Sequence, residues 1–330
     1  MKKKSLDKKK LVIICTSFVI LIALIFLFGT IGSVRLSFSE MIAGLSGENK
    51  MASTILYEMR LPRNVLAVLV GASLAIAGLL LQAVMKNPLA DPGITGVSSG
   101  ASVMAIIILL LLPKYVGILP LVAFVGGAIA CIVVYLMAWK NGLDPIRVVL
   151  AGVAVNAILG GIIALLTTLY SDKIQGALLW LNGSLASKTW DDVKIVAFYS
   201  VIGLSLSLLC ARGANVLSLG DSSATSLGFN VNKTRVLLSV VAVFLAGTST
   251  AIVGIISFVG LIVPHISRMI IGSDHKYSIP FSMILGAIVL LVADTLARTI
   301  LGSLEIPVGV IMSIVGGPFF LYLLRKRGAK

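Results

Sequence analysis

Charge is scarce in this chain of 330 residues. Only 12% of them are charged, and acid is the rarer sign, with 13 Asp and Glu against 27 Lys and Arg. Soluble domains carry about a quarter charged residues, so a chain this poor in charge and 58% hydrophobic cannot hide its apolar surface in one soluble core. Histidine is nearly missing, with only His265 and His275. The three cysteines, Cys15, Cys131 and Cys210, stand alone in apolar runs, without metal-ligand or disulfide spacing, and read as small buried hydrophobes. Neither H-E-x-x-H nor Gly-Lys-Ser/Thr occurs, which excludes a zincin site and a P-loop on this chain. No Pro/Ser-rich linker and no soluble segment interrupts it, so residues 1–330 read as one domain with no catalytic, metal or cofactor set. The alternating pattern of an outer-membrane barrel strand is also missing.

What is present is a succession of apolar runs suited to helices across a hydrocarbon layer of ~30 Å. Ten are read, near residues 11–31, 63–86, 94–112, 117–138, 146–169, 192–211, 235–255, 257–271, 279–300 and 307–324. The eighth is short and reads as tilted or broken. In lipid each segment must close its own backbone hydrogen bonds, so the fold class is an all-α integral membrane protein. The first run is long for a signal peptide and no small-residue cleavage site follows, so it is read as a retained helix. An even count puts both termini on one side. With the N-terminus inside, the inner segments, from Lys2 to Lys330, hold 18 of the 27 Lys and Arg, and nine, Arg35 among them, fall outside. The positive-inside rule then places both termini in the cytoplasm. Bases scattered between spans account for the net charge of +14 without nucleic acid.

The most informative stretch begins at Arg60-Leu-Pro-Arg63 and runs through an apolar helix to Asn87-Pro-Leu-Ala-Asp-Pro-Gly93. Pro62 suits a helix start. Gly71, Ala75, Gly78 and Gln82 fall on one face, a small-residue strip of the kind that packs tightly against neighbours. Arg60, Arg63 and Arg298, at the expected outer ends, run against the charge rule. Two readings stand: docking to acidic residues of an extracytoplasmic partner, or anchoring to lipid phosphate. Asp294 precedes Arg298 by four residues and can pair with it on one helix face. Gly152, Asn156 and Gly160 share a face of the fifth span, and Thr248, Ser249 and Thr250 sit in the seventh. Polar groups at this depth line a path or cross-link helices. Asp144-Pro145 is a turn before the fifth span, either an ordinary loop or a cytoplasmic gate.

Two loops stand out. Residues 170–191 carry a short apolar helix at the outer face. Residues 212–234 form the longest inner loop, where Asp221 and Ser222 read as N-caps, Gly220 as a break between short helices and Gly228 as a helix stop. Leu217, Leu219, Ala224 and Leu227 alternate there with small polar residues, the pattern of a docking surface or of an interfacial loop. Apart from Asp294 the spans lack intramembrane acids, so ion-coupled secondary transport is the weaker alternative. A transporter with neither a P-loop nor an ion relay draws its energy from partner subunits.

Together these segments resemble the FecCD-type permeases of ATP-binding-cassette (ABC) importers for iron–siderophore complexes, haem and cobalamin. The resemblance is carried end to end by Arg60-Leu-Pro-Arg63, Gly71–Gly78, Asn87–Gly93 with Gly96-Val-Ser-Ser-Gly100, Leu217-Ser-Leu-Gly220, Phe258–Arg268, Ala293–Arg298 and Glu305-Ile-Pro-Val-Gly309. It implies about ten transmembrane helices in the inverted-repeat, type II importer fold of a bacterial cell membrane. It implies as partners two cytoplasmic ATPase subunits, a second permease subunit, identical or related, and an extracytoplasmic binding protein. By that similarity Arg60, Arg63 and Arg298 would dock the binding protein. Gly220, Ala224, Leu227 and Gly228 would lie in the ATPase coupling loop. Gln82, Gly152, Asn156 and Gly160 would line the path, and Asp144 and Pro145 would form the cytoplasmic gate. The expected substrate is an iron–siderophore, with haem or cobalamin as the alternative.

Overall fold

A computed structural model describes residues 2–32, 36–140, 142–302 and 304–328, and no strand occurs among them. Arg35 and Lys330 lie outside the described residues. In chain order the helices are α1 (Lys2–Thr30), α2 (Phe38–Ser46), α3 (Lys50–Thr54), α4 (Leu61–Met85), α5 (Val97–Ile106), α6 (Leu119–Ala138), α7 (Pro145–Leu169) and α8 (Ile174–Leu181). They continue as α9 (Trp190–Leu209), α10 (Ala211–Ser218), α11 (Asp221–Ser226), α12 (Val231–Val253), α13 (Val259–Ile271), α14 (His275–Ala297) and α15 (Val308–Gly328). Each of the ten apolar runs coincides with one of them. Among the described residues seven helices are long and apolar enough to cross a membrane, and Val97–Leu111, Val259–Ile271 and Val308–Tyr322 are shorter apolar helices. Several edges are moved by capping residues. Asn230 accepts a hydrogen bond from the Lys233 amide (3.0 Å) and starts α12 early, and Asp274 does the same for α14 through the Lys276 amide (3.0 Å).

Helix α4 is the axis of the molecule. It is buried on all sides from Val70 to Met85 and packs against α9, α12, α13 and α14. Its small-residue strip makes this possible at two crossings. A methyl group at Gly71 would overlap the Gly286 carbonyl of α14, and one at Gly78 would overlap the Gly260 backbone of α13. At these points close backbone approach replaces side-chain interdigitation. By contrast α1 and α7 leave most of their apolar side chains exposed, as helices facing lipid or another subunit do. Cys15, expected to be buried, is exposed on α1, whereas Cys131 and Cys210 are buried as expected.

The eighth run is broken. After α12 the backbone leaves helical geometry at 254–257, and Phe258 takes a left-handed conformation before α13 begins. Backbone groups freed at membrane depth need protein partners. The 182–184 turn after α8 supplies one, Ser184 N donating to Val253 O (2.8 Å), and the same turn reaches α15, where Gly309 N donates to Gly183 O (3.2 Å). Hence the 170–191 loop carries its short helix, and its far end is wedged between α12 and α15.

Candidate functional site

The three arginines expected at an exposed mouth are buried. Arg60, Arg63 and Arg298 retain 6%, 7% and 4% of their accessible surface. Buried charge requires partners, and the chain supplies them. Arg63 grips Asp294 with two nitrogens, Nε to Oδ2 at 2.9 Å and Nη2 to Oδ1 at 3.0 Å, and reaches Glu305 Oε2 through Nη1 at 2.8 Å. Asp294 is fully buried, whereas the Glu305 side chain is 44% exposed. The Asp294–Arg298 pair read from the sequence is the looser contact, at 3.9 Å. Arg298 Nη2 instead donates to Asn64 Oδ1 and to Phe28 O, both at 3.0 Å, and Arg60 Nη1 donates to Gly29 O at 2.8 Å. Two of the arginines therefore bind carbonyls of the last turn of α1, where the helix dipole favours a cation.

These arginines still border open space. A depression of about 420 Å³ is lined by them together with Glu58, Ser187, Lys188, Thr189 and Glu305. Burial pushes the Lys188 ammonium below the usual lysine range, against the pull of Asp192. Sequence reasoning missed Lys188 and Glu305 as members of this site, because nothing in their spacing ties residues 188 and 305 to residue 63.

At the opposite end of the helices, α10 and α11 form the loop read as a coupling surface. Gly220 separates them with φ +103°, and Gly228 ends α11 with φ +79°, as expected of both. The expected caps do not form. Gly220 occupies the N-cap position, and the Asp221 carboxylate pairs instead with Lys86 Nζ and Arg235 Nη2 (2.9 Å). Burial raises the Asp221 carboxyl, but the Lys86 hydrogen bond and the Arg235 charge outweigh it and hold the group below the usual carboxylate range. Arg235 Nη1 also donates to Leu143 O (3.1 Å). One acid thus joins the loop to α4, to α12 and to the turn before α7. Asn215 of α10 adds a second tie, donating to Asp274 Oδ1 (2.8 Å) and accepting from the His275 amide (2.9 Å). Leu217 and Ala224 point into the protein, whereas Leu219 and Leu227 are 62% and 59% exposed.

Asp144 and Pro145 build a helix start: Asp144 Oδ1 accepts from the Ile146 amide (2.9 Å), with proline in the first turn. Of the interior candidates, Gln82 Nε2 donates to Gly260 O (2.9 Å) and Asn156 Nδ2 to Gly93 O (3.0 Å). Gly152 lies against the Ile94 carbonyl, and Gly260 abuts Pro92. Gln82, Gly152 and Asn156 thereby tie α4, α13, the 92–95 turn and α7 together, while Gly160 faces open space. The hydroxyls of Thr248 and Ser249 bond carbonyls of their own helix. Among the described residues no group of His, Cys, Asp and Glu is arranged to hold a metal ion.

Comparison with known proteins gives this geometry its context. The pattern of the FecCD transport family matches residues 19–326. The "Probable heme-iron transport system permease protein IsdF" of Staphylococcus aureus strain MSSA476 is 41% identical over 318 residues, covering 96% of both chains, and its counterpart in strain Newman is 41% identical over 319 residues. A solved structure described as an inward-facing conformation of an ABC transporter of metal-chelate type superposes with a TM-score of 0.86 at 28% identity, over 95% of this chain and 99% of that one. PsaBC from Streptococcus pneumoniae, in complex with Fab, shares the fold at a TM-score of 0.59 and 19% identity, over 87% and 95% of the two chains. The IsdF relatives are transport permeases rather than enzymes. Accordingly the chain belongs to the FecCD transport family, as a multi-pass permease subunit of an ABC importer in the bacterial cell membrane.

Proposed function

We propose that this permease moves haem iron into the cytoplasm, in a complex with two ATPase subunits, a second permease subunit and an extracytoplasmic binding protein. The observation that carries the substrate class is the 41% identity, over 96% of the chain, to permeases named for heme-iron transport. A ferric siderophore is the second reading, favoured by the likeness to a transporter of metal-chelate type. The charge rule orients the chain with both termini, α10 and α11 in the cytoplasm, and the arginine depression outside.

In this reading the exposed Leu219 and Leu227 seat the loop in the ATPase. The Asp221 knot carries its movement to α4, α12 and the Asp144–Pro145 turn. Gln82, Gly152 and Asn156 hold the broken segments that move along the path, and Gly160 lines open space beside it. An acidic side chain of the loaded binding protein enters the depression bordered by Arg60, Arg63 and Arg298. Substrate affinity resides mostly in the binding protein, so the path itself stays sparse in charge. To test the substrate, the complex in vesicles is offered radioiron-labelled haem and a radioiron-labelled hydroxamate siderophore. Binding-protein-dependent uptake of haem is expected. Uptake of the siderophore with exclusion of haem would reverse the assignment.

A further inference from the structure

Glu305 occupies an unusual position in the arginine depression. Arg63 has three nitrogens in use. Two of them hold Asp294, which has no exposed surface; the third holds Glu305, whose side chain is 44% exposed on the rim. The backbone beside it is fixed, because Ile306 N donates to Ala297 O (3.1 Å). The carboxylate can therefore swing away while its chain segment stays in place. The space it borders, about 420 Å³, equals on the order of a dozen waters at ~30 Å³ each.

We infer that Glu305 is a stand-in for the partner's acid: it holds the third nitrogen of Arg63 in the resting permease and gives it up to an incoming carboxylate. This rests on the docking role proposed above for the depression. The physical case is one of exchange. Without Glu305, the Nη1 donor of the buried Arg63 would lack an acceptor, which is costly. When one carboxylate replaces another, that donor keeps an acceptor before, during and after docking. An internal competitor at high effective concentration also weakens the docked state and so speeds release. Lys188, on the same rim, gives the incoming acid a second cation that Glu305 does not use.

The test uses the full chain in lipid nanodiscs and a dye-tagged hexaglutamate peptide, with hexaglutamine as the uncharged control. The signal is the binding component that Lys188→Glu removes. Glu305→Gln is expected to tighten that component roughly five- to tenfold, since the competent form no longer has to be freed of its own acid. Glu305→Asp, with a shorter reach toward Arg63, is expected to tighten it less, and it serves if the glutamine variant does not fold. Unchanged or weaker binding in these variants, with Lys188→Glu still removing the component, would overturn the stand-in role and leave the docking role intact. If Lys188→Glu and added salt leave peptide binding untouched, the docking role itself falls.

Discussion

The two ends of the bundle use the same ingredients to opposite effect. At the arginine end, Arg63 and Asp294 are buried and bind bidentately, and the more exposed partner is Glu305 on the rim. At the loop end, Arg235 is buried but its partner Asp221 is half exposed and shares itself with Lys86, itself a third exposed. The first arrangement fixes α4, α14 and the end of α1 as one frame. The second can break and re-form in contact with water. Under the proposed function this asymmetry has a use: a rigid frame where the binding protein would land and a reversible knot where the ATPases would push.

The largest effects should fall at the buried pair. Arg63→Ala or Asp294→Ala leaves an unpaired buried charge and is expected to cost about 3–5 kcal/mol in unfolding followed in detergent. A loss under 1 kcal/mol would erase the difference between the ends. Next comes a contrast within α7. Gly152→Leu must displace the Ile94 carbonyl and is expected to cost about 1–3 kcal/mol. Gly160→Leu meets open space and should stay within about 0.5 kcal/mol, so equal losses at the two sites would refute the packing described for Gly152.

At the loop, Gly220→Val forces a branched side chain onto φ +103° and is expected to strain the backbone by about 1–3 kcal/mol. Substrate-stimulated ATPase activity of the assembled complex should fall with it. Normal stimulation would remove Gly220 from the coupling surface. Asp221→Asn is expected to cost only about 0–1 kcal/mol, because the pair is solvent-screened. Its folded carboxyl sits below the ordinary value, so its stabilisation is complete above the unfolded value of about 4 and disappears as pH falls through the lower folded one. A wild-type-minus-variant difference that grew on acidification would contradict the pairing.

Much of the architecture was legible because the bilayer imposes a length and a hydropathy on each span. All ten apolar runs became helices, and the weak eighth run proved to be the short α13 behind an unwound segment. Gly71 and Gly78 betrayed close crossings because only small residues permit them, although the partners, Gly286 and Gly260, lie some two hundred residues away. Long-range pairing was not legible. Arg63 finds Asp294 and Glu305 across the fold, so arginines read as exposed are buried and paired, while still bordering the depression. Asp221 looked like a cap from its neighbours, yet Arg235 and Lys86 outcompete the local amides for its carboxylate. Gln82 and Asn156 looked like path residues, and their amides hold the Gly260 and Gly93 carbonyls.

Reconstitution is the most direct measurement of the central claim, that this chain is moved by ATPases held against α10 and α11. Vesicles containing the permease with its ATPase subunits and binding protein should accumulate radioiron-labelled haem only when ATP is inside with the ATPases. Vesicles containing the permease alone should not accumulate it under any ion gradient. Concentrative uptake by the permease alone, driven by a proton or sodium gradient, would contradict the account.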